Sequence, residues 1–226
     1  MTFRPLAERT WREHSNDATR TLLVPLGSFE QHGPHLPLTT DTVIATALSR
    51  RVAARVDVDV APAIPFGASG EHQGFSGLIS LGTDVVATVV LELLRSTRES
   101  WQRVVLINGH GGNMEAVHRV LPIATAEGSD VAAWFPIWRG GDPHAGEVET
   151  SVMLALDPTV VRRDSIADFP LHDGDMRAVR EQGIMAVSPT GVLGSPSRAT
   201  AALGQRVLDQ WVEEIVTLVR DGEERV

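Results

Sequence analysis

The sequence predicts an α/β protein with a mostly parallel central sheet and helices on both faces. Two observations carry that reading. Strand-like and helix-like stretches alternate from residue 21 to about 138, the pattern of successive βαβ units. The strand-like stretches are short apolar runs, as expected for strands covered on both sides.

Taken in order, TLLVPLG (21–27) is apolar and closed by Pro and Gly, which suits a buried strand. DTVIATALSRRVAARV (41–56) places apolar residues at 43, 44, 47, 48 and 52, with Asp41 in N-cap position, and predicts a helix. VDVAPAIPFG (58–67) is strand-like and runs into a Gly- and Ser-rich loop to about residue 77. DVVATVVLELLRSTRESW (84–101) is helical, RVVLING (103–109) a buried strand, and NMEAVHRVLPIATAEG (113–128) a helix ending on Gly. DVAAWFPIW (130–138) returns to strand. Residues 139–200 are less regular, although ETSVMLAL (149–156) reads as a helix, and residues 199–222 form a long amphipathic one. No repeat or linker divides the chain, so residues 1–226 are expected to form a single domain.

Composition narrows the chemistry. The hydrophobic fraction of 42% and mean hydropathy of −0.02 fit a soluble globular protein, and no run approaches the roughly 18–20 apolar residues of a membrane span. The polar N-terminal stretch lacks an apolar signal core, so a cytoplasmic location is expected. A net charge of −9 argues against nucleic acid as partner. There is no Cys, which excludes disulfides, thiolate metal sites and cysteine nucleophiles. All 20 basic residues are Arg, which excludes Schiff-base chemistry and a lysine base. There is no Tyr either. Catalysis is left to His, Asp, Glu, Ser or Thr, or to a bound cofactor.

Three polar clusters follow predicted strands. GSFEQHGPHLPLTTD (27–41) carries Glu30, His32, His35 and Asp41; NGHGGN (108–113) carries His110; RGGDPHAGEVETS (139–151) carries Asp142, His144, Glu147 and Glu149. Ligands of open parallel sheets bind beyond the carboxyl ends of the strands, so all three clusters converge on one sheet edge. Imidazole and carboxylate without thiolate suit zinc, Fe(II), Mn(II) or similar ions. Glu30 and His32 point the same way if the backbone between them is extended. Asp41 has a competing role as a helix N-cap, and His35 is expected to support the loop. If 147–149 enters a helix, Glu147 and Glu149 diverge and only one faces the crevice, which spacing alone does not choose. Glycines at 109, 111 and 112 clear space beside His110 for backbone to approach a metal or substrate. Ser69, near His72 in GASGEHQ, lacks the strand-borne elbow of a serine hydrolase.

PLGSFEQHGPHLPLTTDT, GASGEHQGFSGLISLGT, VVLINGHGGN and DPHAGEVETSVML, in this order over about residues 20–200, resemble the creatininase (creatinine amidohydrolase) family. The resemblance implies a three-layer α/β/α sandwich, a centre of one or two divalent metal ions (Fe(II), zinc or both, or manganese), and hydrolysis of an amide-type C–N bond. It implies that Glu30 and His110 bind one metal, that His32 binds the second, and that Asp41 bridges both. Where creatininase carries a further glutamate ligand, two residues after the metal-binding histidine, this chain has Gly112; Glu149 is the candidate replacement and is favoured over Glu147 by the motif. His144 is the candidate proton shuttle, with Glu149 as the alternative. Gly111 stands where creatininase has an aromatic substrate contact, which disfavours creatinine. Together GASGEHQ, GGDPHAGEVETS and TGVLGSPSRATA are most similar to a peptidase branch of the family. That branch implies a modified precursor peptide as substrate, cut to release a C-terminal Val-Tyr-derived unit. The alternatives are a small cyclic amide or a formamidopyrimidine-type formamide. Family members also imply a homo-oligomer.

Overall fold

The computed structural model describes residues 5–16 and 21–223. Along the chain run α1 (Trp11–Asn16), β1 (Thr21–Leu26), α2 (Thr40–Ala53), β2 (Asp59–Val60), α3 (Thr83–Thr97) and β3 (Arg103–Asn108). There follow α4 (Met114–Ala126), β4 (Asp130–Trp134), α5 (Glu147–Leu156), α6 (Asp175–Gln182), α7 (Ile184–Val187) and α8 (Ala201–Glu223). The four strands pair in the order β2-β1-β3-β4, every pair parallel.

Strand periodicity makes the three layers. Side chains alternate across a sheet, and both faces here are apolar. Leu22, Val24 and Leu26 of β1, with Val104 and Leu106 of β3, pack against Val86 and Val90 of α3 and Val117 and Val120 of α4. The intervening Leu23, Val105 and Ile107 join a second core with α2, α5 and α8, including Leu48, Met153 and Ile215. Burying each such Leu or Ile contributes about 1.5–3 kcal/mol, so β1 and β3 have no solvent face and read as continuous apolar runs. No helix among the described residues is long and apolar enough to cross a membrane.

Two expectations are corrected. The strand over 58–67 shrinks to Asp59–Val60, followed only by an isolated Leu26–Ile64 bridge. Pro62 and Pro65 lack the N–H that a ladder needs. The region 139–200 holds α6 and α7 as well as α5. α6, DMRAVREQ, is eight residues long with Val179 its one buried side chain, so it offers few apolar positions to read.

The carboxyl ends of β1 and β3 meet the first turn of α2 at close range. A Cβ on Gly109 would stand 2.5 Å from the Asp41 carbonyl oxygen, so glycine there lets the residue before His110 seat directly against Asp41.

Candidate metal centre

Glu30 and His32 leave β1, Asp41 enters on α2, His110 follows β3, and His144 and Glu149 arrive on the segment entering α5. The structure thus gathers all three clusters at one sheet edge. Glu30, His32, Asp41 and His110 are buried, with at most 5% of their surface exposed. Buried carboxylates must be paired, and the charged partners of Glu30 and Asp41 are histidines. Asp41 Oδ1 lies 3.0 Å from His32 Nε2 and its Oδ2 3.1 Å from His110 Nδ1. Ser28 Oγ donates to Oδ2 at 2.7 Å.

Asp41 does not cap its helix. α2 begins at Thr40, its N-cap Thr39 makes no side-chain cap bond, and the Asp41 carboxylate turns wholly into the cluster. His32 donates from Nδ1 to the Glu30 carbonyl at 3.2 Å, leaving Nε2 toward Asp41. That is the arrangement of a metal-ligating imidazole held by its other nitrogen. His35 instead reaches Thr150 Oγ1 on α5 through Nε2, at 2.8 Å, and so ties the β1–α2 loop to the helix bearing Glu149.

Glu149 and Glu147 separate as the helical reading requires. Glu149 accepts from the Ala145 N–H at 2.5 Å and lies in one potential ligand group with His32 and His144. Glu147 turns to Arg198, 3.6 Å away. Asp142 fixes the loop, with Oδ2 accepting from Glu147 N at 2.7 Å and Ser195 N at 2.9 Å. Ala145, between His144 and Glu149, has φ of 51°, an uncommon conformation for a non-glycine residue and a mark of strain at functional sites. Ser69 is fully buried with Oγ 3.3 Å from His110 Nε2 rather than beside His72.

His72 belongs to the centre although the sequence reading left it aside. It is 1% exposed, with Nε2 3.0 Å from Glu30 Oε1. Gln31 stands between it and His144, its side-chain Nε2 lying 3.0 Å from His72 Nδ1 and its backbone carbonyl facing His144 Nε2. His144 Nε2 donates to the Gln31 carbonyl at 2.8 Å, which leaves Nδ1 as the basic nitrogen. A histidine three residues after a serine in a glycine-rich loop gives no periodic signal, and only the tertiary fold brings it to Glu30.

The electrostatics are those of a cation site. Burial would raise the Glu30 pKa, but His110, with a contribution from His72, outweighs it and holds the carboxyl well below the usual range. Burial likewise opposes charge on Asp41, and His32 and His110 overcome it to lower its pKa. Against the same penalty, Asp41 chiefly raises His32 to about 10, and Glu30 and Asp41 raise His110 well above its ordinary value. Burial, reinforced by His32 and His72, holds His144 well below. Burial also pushes Glu149 up to about 7, with His32 opposing. His35 is lowered to about 4 by burial and by His32. Protons on His32 and His110 thus supply positive charge where a metal would supply it. Both Glu30 carboxylate oxygens are buried without a hydrogen bond of acceptable geometry, as expected of oxygens shaped to meet a cation. The donors therefore fit a divalent ion. Among the described residues, three groups can each offer three ligand atoms within 4.8 Å of one another: Glu30–Asp41–His110, His32–His144–Glu149 and Glu30–His72–His144.

Gly112 is required by the same packing. A Cβ there would collide with the Ala68 carbonyl and His110 Nε2. Gly112→Ala is expected to displace His110, reduce bound metal and cost about 1–3 kcal/mol through overpacking. Elemental analysis and thermal melting check both effects.

Buried histidines and carboxylates at the carboxyl edge of a parallel α/β sheet are the donor set of a metal-dependent enzyme. The family model for Creatininase (creatinine amidohydrolase) matches residues 7–219. A mycofactocin precursor peptide peptidase from Mycobacterium tuberculosis (strain CDC 1551 / Oshkosh) is 46% identical over 215 residues, covering 88% of this chain and 84% of the relative. A creatininase mutant of Zn-Zn type superposes with TM-score 0.79 at 26% identity, covering 96% of this chain and 97% of the other. A manganese creatininase gives TM-score 0.77 at 26% identity with the same coverage. The chain belongs to the creatininase family and is a metal-dependent hydrolase acting on C–N bonds.

Proposed function

We propose that this enzyme removes the modified C-terminal Val-Tyr-derived unit from the mycofactocin precursor peptide. The 46%-identical relative supports the reaction. The observation that carries a peptide substrate is an apolar groove of about 500 Å³ beside the centre, lined by Met114, Phe135, Ile137 and Trp138 among others. It shares Gly109, Gly111, Pro143 and Glu149 with the smaller cavity of about 180 Å³ over the ligands. Creatinine would leave such a groove unfilled, whereas the apolar end of a peptide fills it. The smaller cavity has no Arg in its lining, and the exposed Arg139 borders a different depression. A phosphorylated formamide would lack its counter-charge.

Glu30 and His110 would hold one ion and His32 the second, with Glu149 as a further ligand or a proton carrier and Asp41 shared between them. Zinc, Fe(II) and Mn(II) all suit these donors. Such an ion, when bound, lowers the pKa of a water toward about 7 and polarises a carbonyl. The chain's own residues then supply position and protons. Ser28 fixes the Asp41 carboxylate, and the Glu30 carbonyl fixes the His32 ring. Glu149, whose carboxyl burial pushes up to about 7 in the metal-free chain, would carry a proton to the leaving amine. His144 stays neutral and offers Nδ1 as acceptor. Met176, Val179 and Ile184 of α6 and α7, with Leu193, wall the cavity with apolar side chains. The enzyme is further expected in the cytoplasm and as a homo-oligomer. Exposed Val85 and Val89 on α3 and Ile123 on α4 support a protein-covered face, and light scattering measures the assembly.

Mass spectrometry of the matured peptide, incubated with enzyme in parallel with creatinine, tests the substrate. Release of the C-terminal unit with creatinine untouched is expected; hydrolysis of creatinine alone would overturn the reading. Ile137→Asp, which puts a charge into the groove, is expected to raise KM about tenfold or more with kcat little changed, the pattern of lost ground-state binding.

A further inference from the structure

The turn that follows Ala68 carries a carboxylate, Glu71 of GASGEHQ, to which neither the resemblance nor the ligand groups above give a role. Glu71 Oε1 lies 3.6 Å from His110 Nε2 and 4.0 Å from His72 Nε2. Across the same gap, Glu30 Oε1 and Oε2 stand 3.0 Å from His72 Nε2 and 3.2 Å from His110 Nε2. The four histidine–carboxylate separations among these three segments therefore run from 3.0 to 4.0 Å. The separations from His110 Nε2, 3.2 Å to Glu30 and 3.6 Å to Glu71, match those of ligand atoms about 2.0–2.2 Å from one tetrahedral ion. Two further observations point to a ligand at this spot. The Glu30 oxygens are buried and unsatisfied, and Gly112 leaves the space free: a Cβ there would come within 2.6 Å of Glu71 Oε1.

We propose that Glu71 is a metal-ligating residue, joining Glu30 and His110 on one ion. The carboxylate that residue 112 cannot provide beside His110 is delivered from the 69–73 turn. Glu71 keeps 32% of its side-chain surface exposed and lines the cavity mouth. It can therefore yield when substrate enters, which the buried ligands cannot. The turn is backed by α6 and α7, so this part of the centre is tied to the 175–187 helices.

The inference rests on the reading that Glu30 and His110 hold an ion, and the controls separate the two. Metal-depleted wild-type protein, Glu71→Gln and Glu71→Asp are titrated with Mn(II) by calorimetry, and their Co(II) forms are compared by visible absorption. The Glu71→Gln protein is expected to bind one Mn(II) at least tenfold more weakly and to shift the Co(II) ligand-field bands. Glu71→Asp, which keeps the charge but withdraws the oxygen, is expected to shift the same bands. Wild-type affinity and an unchanged Co(II) spectrum in both variants would overturn the assignment of Glu71 alone. A weakened Glu71→Gln beside an unaltered Glu71→Asp would reduce Glu71 to a through-space charge and also overturn it. Wild-type protein that bound no Mn(II) would sink the reading beneath it as well.

Discussion

Asp41→Asn is expected to lose metal and nearly all turnover while keeping its fold. The carboxylate is 2% exposed and engages His32, His110 and Ser28 at once. An amide preserves the shape but removes the negative charge that offsets two nearby cationic imidazoles. Altering only the partners of metal ligands costs about 10–100-fold in affinity or activity, so loss of a shared ligand should cost at least about 100-fold in both. Elemental analysis and single-turnover rates measure the two effects. Full metal content with full turnover in Asp41→Asn would remove the shared-ligand role.

The second large effect is a reversal of pH dependence on metal loading. In metal-depleted protein, His32 has a folded pKa of about 10 against an ordinary 6.5, and His110 is raised as well. A raised histidine contributes stability that is full below its unfolded pKa and lost as pH rises through the folded value. Glu149, raised from 4.5 to about 7, has the same sign but acts at lower pH, its contribution being lost between those two values. The melting temperature of depleted protein should therefore fall between pH 6.5 and 10. Glu30 and Asp41 are lowered, so their contribution is lost only on the acid side, below the ordinary carboxylate range. A metal must displace the protons on His32 and His110, and its affinity should rise about tenfold per pH unit for each proton displaced. The loaded protein should then gain stability over the range in which the depleted protein loses it. Calorimetry in buffers of different ionisation enthalpy would register about two protons released per loading near pH 7.5. Parallel pH trends with and without metal would contradict the charge assignments.

The parts of this molecule that repeat were legible in its sequence, and the parts that converge were legible only where a strand announced them. β1 and β3 are apolar between their ends, with only Thr21, Arg103 and Asn108 polar, so the parallel sheet and the loops at its carboxyl edge follow directly. Glu30, His32, His110 and Glu149 lie on those loops, and the fold brings them together. His72 and Glu71 sit on a glycine-rich turn that no periodic element introduces, and proximity to Glu30 and His110 is a purely tertiary property. α6 was illegible for a different reason: it is eight residues long and buries one side chain, so too few apolar positions mark it. Asp41 shows the limit of local logic. Aspartate before an apolar run is a good helix start, yet the buried histidines compete more strongly for its oxygens than the helix's own N–H groups.

Anomalous diffraction from zinc-loaded crystals most directly tests whether Asp41 joins two ions. The account predicts two peaks at the carboxyl edge of the sheet, each within coordination distance of an Asp41 carboxylate oxygen, with Glu30 and His110 at one and His32 at the other. Zinc at a place that Asp41 does not touch, or no zinc at this edge, would contradict it.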